Sequence, residues 1–338
     1  MQPTFCAFIK TQRAEVPPVI HADLAGKVVL VVGGNTGIGY ETAKHFAQMN
    51  PAKVIIACRS QERGRAAVAK MRQETGFDNI ELKIVDLAKF SSVVAFSDDF
   101  IKEEKRLDIL IANAAVSMED YTTTSDGWEM TLQVNNLSTL LFCIRLAPLL
   151  IETAEKNRGT HPRLVILGST LHYDIRKFER KVLESNNPLR ALSSRESSTS
   201  SNMLVRYSES KLLVVFMMRS LANILKNKGV IVNSVCPGYC SSELQRNVTG
   251  PKRVLFKGIE MYMAWTAEEG SRQVVWAALA NEDNAGTMND VFCSAMKVQE
   301  TSDFSISSSG RKAQEDFWTN FIEELSKVDP KVPEILRD

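Results

Sequence analysis

Lys27-Val28-Val29-Leu30-Val31-Val32-Gly33-Gly34-Asn35-Thr36-Gly37-Ile38-Gly39 decides the fold class of this 338-residue chain. Its unbroken apolar run reads as a strand buried on both faces, which favours a parallel-sheet strand over an edge hairpin. The glycines lead into Tyr40-Glu41-Thr42-Ala43-Lys44-His45-Phe46-Ala47-Gln48-Met49, where Ala43, Phe46 and Ala47 share one face at helical spacing. Strand, glycine turn and helix together aim backbone N–H groups and a helix N-terminus at a phosphate. Glycines also suit a plain tight turn, so the rest of the chain has to arbitrate.

Working outward, Val54-Ile55-Ile56-Ala57 reads as a second buried strand, and Ser60 caps a helix that Gly76 ends. Further strands are expected at Ile80–Val85, Leu107–Ala112, Arg163–Gly168, Gly229–Val235 and near Val291-Phe292, with helices between them. One of these helices, over about 125–155, carries a break expected at Pro148. This alternation gives a doubly wound α/β fold with helices on both faces of a parallel sheet. We expect an N-terminal arm at 1–23, assigned no chemistry, and a catalytic domain at 24–295. Within that domain lie a serine-rich surface insertion at 173–203 and a substrate-covering region at 239–265. A tail with a helix follows at 296–338.

Composition narrows the function classes. A net charge of +1 gives no general footprint for nucleic acid or an anionic membrane. No 18-residue apolar run stands out as a membrane span. The six cysteines include no Cys-x-x-Cys pair and form no ligand cluster with the four histidines, so no metal is expected. Buried free thiols and the lack of a signal-like N-terminus make the cytosol the expected location.

Each strand end in the first half carries a residue suited to a ligand at the carboxyl edge of the sheet, where such folds bind ligands. That coincidence makes a dinucleotide site of the glycine turn. Gly33 permits the turn, Gly37 a close backbone approach to pyrophosphate, and Gly39 helix-to-strand packing. Arg59 follows the second strand, about 20 residues beyond the glycines, where an acid would bind a ribose 2′-hydroxyl and an arginine accommodates a 2′-phosphate. NADP(H) is therefore expected over NAD. In Tyr207-Ser208-Glu209-Ser210-Lys211, the tyrosine and lysine share a helix face, which brings an ammonium near a phenol. Such a neighbour favours the phenolate and moves a reference pKa of about 10 towards the working range. The spacing is also common on ordinary helices.

Taken in order, Gly33-x-x-x-Gly37-Ile38-Gly39, Asp86-Leu87, Asn113-Ala114-Ala115, Asn135, Ser169, Tyr207-x-x-x-Lys211 and Pro237-Gly238 resemble the short-chain dehydrogenase/reductase family over about Leu24 to Phe292. The likeness is strongest to retinol-dehydrogenase-like and fungal secondary-metabolism reductases. It implies a single Rossmann-type sheet of about seven strands in the order 3-2-1-4-5-6-7. It further implies that Tyr207 exchanges a proton with the substrate oxygen and that Lys211 tunes Tyr207 and holds the nicotinamide ribose. Ser169 would hydrogen-bond the substrate oxygen, with Thr170 as the alternative hydroxyl, and Asn135 would order a proton relay. The cofactor would be held by Gly33, Asn35, Thr36, Gly37, Ile38, Gly39, Arg59, Asp86, Leu87, Asn113, Ala114, Tyr207, Lys211, Pro237, Gly238 and Ser242. The chain departs from the family pattern at Val32, where threonine is usual, and at Gly168, where serine is common. Ala112 and Ala115 depart too, in the Asn-Asn-Ala-Gly motif.

The stretch 239–265 holds Val254, Leu255, Phe256, Ile259, Met261, Tyr262, Met263 and Trp265. An apolar cover of this kind suits a lipophilic carbonyl or alcohol, such as a terpenoid, polyketide or retinoid-like molecule. Plain helix packing would use the same residues. The expected activity is NADPH-dependent interconversion of carbonyl and alcohol, with reduction favoured. Isomerisation, epimerisation or elimination on the same fold, or non-catalytic sensing of NADPH, are the alternatives, and a homo-oligomer is compatible with each.

Overall fold

Alternate residues of Val28–Val32 (β1) enter two different cores. Val28, Leu30 and Val32 point to one side of the sheet, while Val29 and Val31 point to the other. All five are buried, as a strand with helices on both faces requires. The computed structural model describes residues 5–241 and 262–337.

One sheet has the order β3-β2-β1-β4-β5-β6-β7-β8. Its members after β1 are Lys53–Cys58 (β2), Ile80–Ile84 (β3), Ile109–Ala112 (β4), Arg163–Leu167 (β5), Ile231–Cys236 (β6), Val291–Ser294 (β7) and Lys297–Gln299 (β8). The first seven run parallel, in the expected order. The eighth is an addition that pairs antiparallel with β7. Its hairpin turns through Ala295 and Met296, both left-handed at φ 53° and 52°. The Met296 N–H is held by Gln273 Oε1 at 2.7 Å.

The helices are Phe5–Gln12 (α1), Gly37–Ala47 (α2), Gln61–Thr75 (α3), Phe90–Glu103 (α4), Ser138–Lys156 (α5), Ser200–Leu225 (α6), Ala267–Leu279 (α7), Ser308–Val328 (α8) and Lys331–Arg337 (α9), beside shorter turns. Residues of α2, α3 and α7 form the core on the Val29 side, and residues of α4, α5 and α6 form the other. Ser60 caps α3 by accepting the Arg63 N–H, and Gly76 ends it at φ 70°.

Pro148 does not break α5, which continues through it with the ring on the exposed face. The stretch Met130–Lys156 is long and apolar enough to cross a membrane, with a mean hydropathy of 1.6 over an 18-residue window. In this fold 78% of that window is interior, and the buried Arg145 of the same stretch pairs with Asp98 and, at 3.2 Å, with Asp329. The serine-rich stretch expected at the surface instead folds into short helices, Arg180–Leu183 and Pro188–Ser193. These bury Val182, Leu189 and Leu192. The tail packs beside them: Phe178 meets Phe317 with the rings tilted and centroids 4.8 Å apart, and Arg190 Nη2 meets Glu324 at 2.5 Å.

Candidate active site

The carboxyl end of β1 turns at Gly33, whose φ of 78° suits glycine and whose N–H donates to Ala57 O at 2.7 Å. A β-carbon on Gly39 would lie 2.3 Å from Gly33 O and 2.5 Å from Asn113 Nδ2, so the first turn of α2 lies directly on the loop. Asn113 fastens that loop from the end of β4, donating to Val32 O at 3.1 Å and Gly33 O at 3.2 Å. Gly37, at φ 56°, has open space where a side chain would start. The loop is thus backed by protein at Gly33 and Gly39 and open at Gly37, beside the N-terminus of α2. That cradle fits a pyrophosphate. Asn35, Thr36 and Ile38 line the same turn, half-buried.

Around the turn stand the other expected cofactor residues. Arg59 is exposed just past β2. Asp86 Oδ1 accepts the Ala88 N–H at 3.0 Å, which shapes the loop after β3 above buried Leu87. Ala114 lies against Gly33. Ser242 and most of the expected cover at 239–265 fall outside the described residues.

Helix α6 carries Tyr207 and Lys211 on one face. Lys211 Nζ stands 5.3 Å from the centroid of the Tyr207 ring and donates to Leu167 O at 2.7 Å. Leu167 ends β5, two residues before Ser169. The Ser169 hydroxyl accepts the Leu171 N–H at 3.2 Å and starts the turn Thr170–Asp174. His172 closes that turn. Its Nε2 accepts the Ser302 N–H at 3.2 Å, so its Nδ1 carries the proton donated to Ser169 O at 2.7 Å. Burial pushes His172 down to about 4, which keeps it neutral in this role.

Asn135 sits in a π-helical turn, Gln133–Leu137, a widening of the helix that is frequent at functional sites. Its carboxamide takes the Val116 N–H at 2.8 Å, donates to Val116 O at 2.9 Å, and donates to Ser210 Oγ at 3.0 Å. Ser210 in turn donates to Tyr207 O at 2.7 Å. Asn135 therefore reaches α6 through Ser210, a residue the sequence reading missed because a serine inside a helix carries no distinguishing pattern. Cys236 was missed for a similar reason. Its sulfur accepts N–H groups from Thr170 at 3.3 Å and Gly238 at 3.4 Å, joining the serine turn to the Pro237-Gly238 turn. Gly168 has a local cause, since a β-carbon there would stand 2.5 Å from Ser234 Oγ and 3.2 Å from the Phe292 ring.

Electrostatics differ from the simple expectation. Burial pushes the Tyr207 phenol above its usual range. The group is a protonated acid at neutral pH. Burial lowers Lys211 from its ordinary 10.5 to about 8. Between those values an unfolded chain holds more protons than the folded one, so stability rises with pH there. Lys211→Met is accordingly expected to relieve a burial cost below pH about 8, and its advantage over wild type should shrink as the pH approaches about 10. Urea unfolding midpoints of both proteins across this range check the point, and a pH-independent difference would contradict it.

The family model described as short chain dehydrogenase matches residues 27–170 and 191–252. A short chain dehydrogenase of Arthrobotrys oligospora is 32% identical over 317 residues, covering 92% of this chain and 95% of that protein. Retinol dehydrogenase 11 of Mus musculus is 35% identical over 259 residues, covering 77% and 75%. Among solved structures, the Pseudomonas aeruginosa RhlG/NADP active-site complex superposes with a TM-score of 0.61 at 22% identity, over 80% of this chain and 95% of that one. The Brucella melitensis 3-ketoacyl-(acyl-carrier-protein) reductase complexed with NADH gives a TM-score of 0.60 at 19% identity, over 80% and 97%. These two structures agree with the fold. The chain belongs to the short-chain dehydrogenase/reductase family of oxidoreductases, in its retinol-dehydrogenase-like and fungal branch.

Proposed function

We propose that the protein is an NADP(H)-dependent oxidoreductase that interconverts a carbonyl and an alcohol on a lipophilic small molecule, with reduction favoured. The observation that carries this reading is the placement of Lys211 Nζ beside the Tyr207 ring while it grips the strand end that presents Ser169. When bound, the nicotinamide supplies the hydride. Tyr207, held protonated by burial, donates the proton to the substrate oxygen. The Ser169 hydroxyl, with Thr170 next to it, stabilises the charge developing on that oxygen. Lys211 holds the nicotinamide ribose, and Asn135 fixes the Tyr207 turn through Ser210 and orders the relay that returns a proton.

Gly33, Asn35, Thr36, Gly37, Ile38 and Gly39 would hold the pyrophosphate, Asp86 and Leu87 the adenine side, and Asn113 and Ala114 the floor. Pro237 and Gly238 would lie beneath the nicotinamide, with Ser242 on cofactor phosphate. The lipophilic substrate is supported by exposed Leu171, two residues past Ser169, and by exposed Leu204 and Val205, one helical turn or less before Tyr207. Incubation with NADPH and a panel of apolar ketones and aldehydes should consume NADPH. A panel that leaves bound NADPH unoxidised would overturn the reading.

Arg59 supplies the cofactor preference, because a guanidinium pairs with a 2′-phosphate in a way that NADH cannot use. Arg59→Ala is expected to weaken NADPH by about ten- to a hundredfold, the range for losing a charged hydrogen bond, and to leave NADH nearly unchanged. Cofactor titrations of both proteins decide this, and equal losses for the two cofactors would remove Arg59 as the selector.

A further inference from the structure

The N-terminal arm, to which the sequence assigns no chemistry, reaches the turn after β6 through one buried side chain. Gln12, at the end of α1, is 5% exposed. Its Nε2 donates to Tyr239 O at 3.0 Å and to Met263 O at 3.2 Å, and its Oε1 accepts the Tyr239 N–H at 3.0 Å. The carboxamide thus satisfies both backbone groups of Tyr239, as a neighbouring strand's peptide group would. The main-chain carbonyl of Gln12 takes the Trp265 Nε1–H at 2.8 Å.

The same knot bears on Gly238. A β-carbon there would stand 2.4 Å from carbons of the Trp265 ring and 3.0 Å from Gln12 Oε1, and the residue is left-handed at φ 87°. Tyr239 and Trp265 are also joined directly, by the Trp265 N–H to Tyr239 O at 2.9 Å. Further along, Arg272 Nη1 in α7 donates to Val16 O at 3.0 Å and Pro17 O at 3.2 Å, which fastens the arm to the body of the fold. Gln12 therefore sits behind the Pro237-Gly238 turn, with its polar atoms committed to that turn and to Met263.

We propose that Gln12 is a positioning residue of the cofactor site: the N-terminal arm holds the Pro237-Gly238-Tyr239 turn in place for the nicotinamide half of the cofactor. This role rests on the NADP(H) reading above. A group acting only through that turn affects the nicotinamide end and spares the adenosine end, which lies at Arg59 and the glycine loop across the sheet.

The test titrates full-length wild type, Gln12→Met and Trp265→Phe with NADPH and with 2′,5′-ADP, which lacks the nicotinamide half, and measures kcat with one apolar ketone. Gln12→Met is expected to weaken NADPH and lower kcat, each about tenfold, while 2′,5′-ADP stays within about twofold. Trp265→Phe removes the Nε1–H bond to the Gln12 carbonyl and the indole carbons that face Gly238, so it loosens the same knot from the other side and should shift the same quantities by about threefold. It decides the matter if Gln12→Met does not fold. Parallel losses for NADPH and 2′,5′-ADP, or no change in either with full kcat, would overturn the role of Gln12 alone. Failure of wild type to bind NADPH would overturn the cofactor reading and this role with it.

Discussion

Tyr207→Phe is expected to lower kcat by about a thousandfold or more while NADPH affinity stays within about twofold, because the change deletes the acid and little else. The ring, which packs beside Lys211 Nζ at 5.3 Å, remains in place. The hydroxyl is the group that burial keeps protonated, so its loss removes the proton donor at the pH where the enzyme works. Lys211 keeps its bond to Leu167 O in the variant, since that bond does not involve the phenol. Steady-state rates and a cofactor titration on the same preparation separate chemistry from binding. A variant that retains wild-type turnover would remove Tyr207 from the mechanism.

The second large effect is expected at Gly39. Any β-carbon there meets the backbone carbonyl of Gly33 at 2.3 Å and the Asn113 amide at 2.5 Å, and neither can swing aside as a long side chain would. The Asn113 amide is itself committed to Val32 O and Gly33 O. Gly39→Val must therefore push α2 away from the loop and open the cradle. We expect NADPH affinity to fall by about a hundredfold or more, together with a loss of stability of about 3 kcal/mol or more, the upper end for overpacked sites, because the clash is with backbone. Gly37→Ala is the informative contrast. Its β-carbon meets nothing within 4 Å, so the cost to stability is that of a left-handed alanine, about 1–2 kcal/mol. Calorimetry and cofactor titration of the two variants check the distinction, and equal stability losses would show that the first turn of α2 does not press on the Gly33 carbonyl.

Much of the fold was legible because its signals are local. The five-residue run of β1 is apolar at every position because both faces are covered, and the alternation of such runs with helices gives the seven parallel strands. The caps at Ser60 and Gly76 stand where side-chain chemistry and left-handed geometry place them. The eighth strand was not legible. Its hairpin turns through alanine and methionine in left-handed conformations that sequence rules reserve for Asn and Gly. Tertiary support from Gln273 fills the gap, and no local pattern announces it.

Similar reasons apply at the site. Tyr207, Lys211, Ser169 and Asn135 are marked in the sequence by ordered motifs. The contacts around them run through Ser210, His172 and Cys236, and those behind the Pro237-Gly238 turn run through Gln12, each with a partner far away in sequence. Gln12 and Tyr239 are 227 positions apart, and a glutamine near the start of a chain carries no sign of that contact. The serine-rich stretch misled for a compositional reason. Its polar residues cap and link short helices, while Val182, Leu189 and Leu192 supply a buried face too short to show periodicity. Pro148 lies on the exposed side of a helix long enough to continue past it.

The central claim is hydride transfer from NADPH to a carbonyl carbon with a proton from Tyr207. The most direct test supplies NADPH carrying deuterium at the transferring position of C4, together with an apolar ketone that the protein turns over. One deuterium is expected on the carbinol carbon of the alcohol for each NADPH consumed, and no such product with Tyr207→Phe. Product formed without loss of NADPH, or a carbinol hydrogen drawn from solvent, would contradict it.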